Sequence, residues 1–208
     1  MAMNGVASTG MRRRGLEYKV NFGLSIQQIK DLSKRYQPDS ELAESLWKED
    51  TRELKILATL LYPMEAFTKA KAEEWCYVIP NQEIREQLCN NLYQNIIDAN
   101  PLAMEWADSS DAEVRTTGYL LLARLFLTKR NNIVTFDTLR FVWDDVIAEN
   151  IFLRNASLLA LKHIGRQSKE IAADILQKLS IYKDDSDLIK QEAFNSLAFE
   201  FDYFFENE

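Results

Sequence analysis

The stretch NQEIREQLCNNL, Asn81 to Leu92, sets Glu86 between Arg85 and a run of uncharged polar residues on a segment with helical spacing. Neither Gln82 nor Asn90, one helical turn away on each side, is basic, so no salt bridge is expected to occupy the acid. Glu86 is therefore either a carboxylate available to a cation or a solvated surface acid, and the residue types leave both readings open. The remaining chemistry-bearing groups are weaker. His163 is the single histidine, which excludes a His-rich metal cluster, and no Ser or Cys motif of the elbow or triad type accompanies it. Packing or solvent exposure is its expected fate. Asp184, Asp185 and Asp187 lack the glycine and distal glutamate of a calcium loop and read as a loop followed by a helix start. Arg12, Arg13, Arg14, Lys19, Lys30, Lys34 and Arg35 gather positive charge near the N-terminus, either to meet phosphate or as a solvated basic face.

Composition bounds what these groups can do. The 208 residues are 47% hydrophobic and 27% charged with six glycines and four prolines, which predicts one globular domain spanning 1–208. The longest apolar run, Tyr119 to Phe126, is interrupted by Arg124 and falls far short of the roughly 20 residues a membrane span needs. Cys76 and Cys89 form neither a CxxC pair nor a disulfide framework, so the expected location is the reducing cytoplasm. A net charge of -7 repels phosphate overall, and any nucleic-acid role requires a local basic surface.

The elements that must position these residues are helices. Apolar residues recur at intervals of three and four, and Pro38, Pro63, Pro80 and Pro101 fall between periodic segments. An apolar residue followed by a basic one occurs as Leu54-Lys55, Ile84-Arg85, Val114-Arg115, Leu153-Arg154 and Ile189-Lys190, at spacings that suit stacked two-helix units. Three residues before each apolar member stand Thr51, Asn81, Asp111, Asn150 and Ser186, all suited to capping a helix N-terminus. Four residues after it come Ala58, Leu88, Gly118, Ser157 and Ala193, mostly small, as a close helix crossing requires. The preceding segments SELAESLWKE, FTKAKAEEWCYVI, PLAMEWADSS, FDTLRFVWDDVIAE and KEIAADILQKLSIYK supply the first helix of each pair. Trp47, Trp75, Trp106 and Trp143 sit late in four of them, a regularity that argues for packing between units. The predicted fold is all-α, a right-handed α-α solenoid of HEAT-like repeats, with capping helices over 1–40 and about five helix pairs over 41–208. In the capping region Gly23 is expected to end one helix, and Ser25 with Gln28 to form the capping box of the next. The aromatic, acidic tail AFNSLAFEFDYFFENE either caps the last repeat or docks a partner.

If Ile84 and Leu88 face the partner helix, Glu86 lies about 200° round from Ile84, on the exposed inner row. Its equivalents are Ile56, Thr116, Asn155 and Gln191, a weakly charged strip. The segments NFGLSIQQIKDL, LWKEDTRELKILATLL, EEWCYVIPNQEIREQLCNNL and EVRTTGYLLLARLF, in that order, resemble the bacterial DNA alkylation repair family, the AlkD-like HEAT-repeat DNA glycosylases, from roughly Tyr18 to Gly165. The resemblance implies excision of N3- or N7-alkylated purines from duplex DNA lying along the concave face, with no metal or organic cofactor. It also implies a carboxylate that stabilises positive charge developing on the sugar. Glu86 is the residue that matches that acid, at the end of a segment corresponding to the family's W-D-x-x-D stretch. The family's tryptophan there is Gln82, its arginine on the next repeat is Thr116, and its second site tryptophan falls near Leu159. Contacts to DNA are accordingly expected from Arg12, Arg13, Arg14, Lys19, Gln82, Thr116 and Asn155. Two functions remain open: a divergent glycosylase with Glu86 as its acid, or a non-catalytic HEAT-repeat module that binds DNA or protein.

Overall fold

The computed structural model describes residues 4–13, 16–130 and 138–207. Among them lie twelve α-helices and a single isolated bridge, Val20 to Thr51. The chain divides into two compact units, Met1–Ile97 and Asp98–Glu208.

The first unit contains α1 (Gly5–Arg13), α2 (Ile26–Ser33), α3 (Ser40–Lys48), α4 (Arg52–Leu61), α5 (Lys69–Cys76) and α6 (Gln82–Asn91). The capping box that opens α2 forms in both directions, the Ser25 hydroxyl accepting from the Gln28 N–H at 3.2 Å and the Gln28 amide oxygen from the Ser25 N–H at 2.8 Å. Gly23 does not end a helix. It lies in an extended stretch with φ +74, packed so tightly on Asn4 and Ser8 that an added Cβ would sit 2.5 Å from the Asn4 carbonyl oxygen. The core of this unit is aromatic: the Trp47 and Trp75 rings stack with centroids 4.1 Å apart, and Tyr62 and Phe67 meet Trp75 edge-on. The recurring indoles are thus packing residues. Cys76 and Cys89 are buried thiols in the same unit.

The second unit contains α7 (Ala99–Ala107), α8 (Ala112–Leu127), α9 (Val142–Asp145), α10 (Ile151–Gly165), α11 (Lys169–Leu179) and α12 (Leu188–Glu206). Here α8 packs against both α7 and α10, and Gly118 lets α8 touch the backbone of α7 at Trp106 and Ala107. Among the described residues of FDTLRFVWDDVIAE, 138–149, the expected fourth first helix is reduced to the single α-helical turn of α9, whose last residue, Asp145, turns inward to an ion pair with Arg115.

Three of the five expected caps hold with their side chains, Asn81, Asp111 and Asn150, each accepting from a first-turn N–H. Thr51 occupies the cap position without a side-chain bond, and the neighbouring Arg52 N–H donates to the Val20 carbonyl at 3.2 Å. The last helix is capped one residue later than expected, by Asp187 instead of Ser186, because the Asp187 carboxylate is the group that accepts from Ile189 N–H. Ile84, Val114 and Leu153 are buried as their spacing predicts, while Ile189 is half-buried beside a groove between α10 and α12.

Three of the five basic members share one structural task, whereas Arg85 donates to the Gln82 side chain and Lys190 pairs with Asp185. Lys55 donates to the Trp47 carbonyl at the end of α3, Arg115 to the Ser109 and Ser110 carbonyls beyond α7, and Arg154 to the Ala148 and Glu149 carbonyls beyond α9. A cation from the second helix thereby satisfies the orphaned carbonyls that follow the first.

Candidate nucleic-acid interface

In the first unit α6 is set by its inward face. Ile84, Arg85, Leu88 and Cys89 are buried, which turns Glu86 outward to solvent. Its carboxylate accepts from the Gln82 amide at 3.2 Å, and the Gln82 oxygen accepts from the Arg85 guanidinium at 2.9 Å. The acid is held by an amide and not by a cation. The neighbouring carboxylates are committed elsewhere. Glu83 takes both the Nε and one terminal nitrogen of Arg52, at 2.8 and 2.7 Å, while buried Glu53 accepts from Arg52 and from the Phe22 and Leu24 N–H groups. Asn81 donates to the Tyr18 hydroxyl at 2.7 Å, and burial pushes the Tyr18 phenol up to about 12. These clasps anchor the extended stretch before α2 to α4 and α6. Arg12 and Arg13, in the last turn of α1, are exposed, as is Lys19; Arg14 lies outside the described residues.

In the second unit the expected residues separate. Thr116 is 1% exposed and its hydroxyl donates to the Ala112 carbonyl at 2.8 Å, so this side chain offers nothing to a ligand; the inner row tilts inward where α8 packs on α10. Asn155 is exposed and lines the groove between α10 and α12, about 470 Å³ in volume, together with Leu159, Lys162, Ser196 and Glu200. The structure thus brings Asn155 and Leu159 into one groove of mixed polar and apolar lining. Burial pushes the Glu200 carboxyl up, but hydrogen bonds from Lys162 and Arg166 outweigh it and hold the group below its ordinary range.

A clasp that the sequence did not reveal holds α8 to α9. Arg115 donates to both oxygens of buried Asp145 at 2.8 and 2.9 Å, and the Tyr119 hydroxyl donates to the same carboxylate at 2.8 Å. The signal was present only as an arginine and an aspartate far apart in the chain. Asp185 and Asp187 serve as loop and cap acceptors, as their spacing predicts.

His163 is buried, and desolvation with the nearby Arg166 and Lys162 charges pushes it down to about 4. An unfolded histidine takes up its proton near 6.5, so the neutral folded ring contributes stability that is fully present above that pH and is lost as pH falls toward 4. Up to about 3 kcal/mol is at stake in this window. In urea titrations from pH 7 to pH 4, His163→Gln is expected to lose less stability on acidification than the parent; equal slopes would exclude the imidazole as the titrating group.

Over 97% of its length the chain matches, at TM-score 0.71 and 16% identity, 89% of a solved structure from "a new family of proteins related to the HEAT-like repeat DNA glycosylases with affinity for branched DNA structures". The fold is therefore that of the HEAT-like repeat proteins. The family model for "DNA alkylation repair enzyme" matches residues 4–197, and the chain belongs to that family. No curated protein matches it. Among the described residues no helix is long and apolar enough to cross a membrane.

Proposed function

We propose that this protein binds DNA as a member of the alkylation repair family without excising bases. The fate of the four indoles carries this reading. Trp47 and Trp75 are stacked and buried, Trp106 is 4% exposed, and Trp143 is half-buried with Lys178 over its ring. None is left exposed to grip a deoxyribose, while Glu86 is held by the Gln82 amide alone. Family membership and the fold shared with a protein that has affinity for branched DNA support DNA as the ligand. The contacts come from Arg12, Arg13, Arg14 and Lys19 near the N-terminus and from Gln82 on α6 in the first unit, and from Asn155 on α10 in the second, the last two each on the exposed side of a second helix. Thr116 is left out because its hydroxyl is already bonded. The compartment is the cytoplasm, which suits two reduced, buried cysteines.

One observation favours a second reading. Glu86 is exposed and oriented, as an acid that faces a developing cation must be. A single experiment separates the two: binding of linear and four-way-junction duplexes across a salt series, beside release of 7-methylguanine from alkylated duplex. Tighter junction binding with no release above buffer is expected, and the Arg12→Gln/Arg13→Gln variant should flatten the log–log salt slope by up to about 2. Release that disappears in Glu86→Gln, at unchanged melting temperature, would overturn the non-catalytic reading and establish excision.

A further inference from the structure

The outer face of α12 has no partner in its own unit. Ala193, Leu197 and Phe201 turn inward, and Phe201 lies where a side chain at Gly165 would sit. On the other side Leu188, Glu192, Asn195, Phe199, Asp202 and Glu206 are exposed, spaced alternately by four and three residues, so they form one continuous stripe along the helix. Phe199 is 72% exposed and Tyr203 beside it 61%, and the two rings lie nearly parallel, centroids 6.3 Å apart and 16° between planes. Two large rings held together in water are a surface shaped for contact.

Charge decides what kind of contact. Glu192, Asp202 and Glu206 are all acidic, and the cations nearby are otherwise engaged: Lys190 with Asp185 and the Tyr182 ring, Arg166 over Phe204, and Lys169, which borders Asp202 and Glu206, over Phe205. A phosphate backbone or an anionic lipid surface would be repelled. Along the C-terminal half of the stripe rings and carboxylates alternate, Phe199, Asp202, Tyr203 and Glu206, with the two acids about 6 Å apart along the axis. Stacked faces beside regularly spaced negative charge are the features by which a cationic, aromatic-lined groove recognises a single strand of nucleic acid. We propose that the outer face of α12 docks into such a groove on a single-stranded-DNA-binding protein, in place of the strand. This contact is independent of how the protein itself meets DNA.

The test uses the full chain, fluorescently labelled, titrated with a purified OB-fold single-stranded-DNA-binding protein, with oligothymidylate as competitor. Saturable binding is expected that oligothymidylate displaces. Phe199→Ala and Tyr203→Ala should each weaken it by about tenfold. Asp202→Asn/Glu206→Gln should weaken it and remove its salt dependence. Circular dichroism and melting of these variants should match the parent, because the side chains are exposed. Absence of binding, binding that the stripe variants leave unchanged, or binding that oligothymidylate fails to displace would overturn the proposal. So would direct binding of oligothymidylate to Phe199 and Tyr203, or dimerisation of the chain that Phe199→Ala abolishes. Junction binding through Arg12 and Arg13 should persist in every stripe variant, so failure here is distinguishable from failure of the DNA-binding reading.

Discussion

Arg52→Ala is expected to destabilise the first unit by about 3–5 kcal/mol, lowering its melting temperature by roughly 15–30 °C. The guanidinium is 2% exposed and makes four hydrogen bonds, two to Glu83, one to Glu53 and one to the Leu24 carbonyl. Its removal leaves the Glu53 carboxylate, itself 2% exposed, without its counter-charge while it still holds the Phe22 and Leu24 N–H groups. The cost comes mainly from that stranded charge, not from the loss of attraction between two ions. Arg52→Lys should recover only a fraction, since an ammonium cannot grip Glu83 with two parallel donors. Urea denaturation checks the magnitude, and hydrogen exchange at Phe22 and Leu24 checks the place. A loss below about 1 kcal/mol would mean that the extended stretch is held by something other than this clasp.

Gly118→Ala is expected to cost about 3 kcal/mol, although alanine favours a helix over glycine by about 1 kcal/mol. The new Cβ would sit 2.3 Å from the Ala107 nitrogen and 2.6 Å from the Trp106 carbonyl carbon. These are backbone atoms and cannot rotate aside, so α7 and α8 must move apart and release the core between them. Gly118→Val should prevent folding of the second unit. Gly5→Ala is the matching control: nothing lies within 4 Å of its added Cβ, so the same substitution should be neutral or slightly stabilising. If Gly118→Ala melts like the parent, the close approach of the two helices is not a constraint on this fold.

Helix pairs were legible because their determinants are local. Asn81, Asp111 and Asn150 cap the N–H groups two or three residues ahead of them, and small residues such as Gly118 recur at fixed offsets from those caps. Gly23 misled because a glycine with positive φ serves a close approach in an extended segment as readily as a helix end, and only the packing on Asn4 and Ser8 tells them apart. Glu86 was placed outward correctly by the helical period, but period alone does not say how far a row tilts, and its counterpart Thr116 is buried. The Arg52–Glu83 and Arg115–Asp145 clasps were not legible at all. Each joins residues about one repeat apart, and among 25 basic and 32 acidic side chains no local feature marks which pairs meet.

Those clasps share a reach. Arg52 meets Glu83 across 31 positions, Arg115 meets Asp145 across 30, Arg140 meets Asp108 across 32, Arg166 meets Glu200 across 34, and Asn91 reaches Thr59 across 32. Each of these bonds stops at the adjoining repeat, whereas the bond from Asn81 to Tyr18 crosses 63 positions to the N-terminal stretch. Little chain entropy is lost in closing such loops, so within each unit a nucleus can form in one repeat and recruit its neighbour, and assembly spreads as a zipper does. Damage should stay close to its source: within one unit, a substitution that unseats one helix pair loosens the elements bonded to it, and the rest of the ladder keeps its shape.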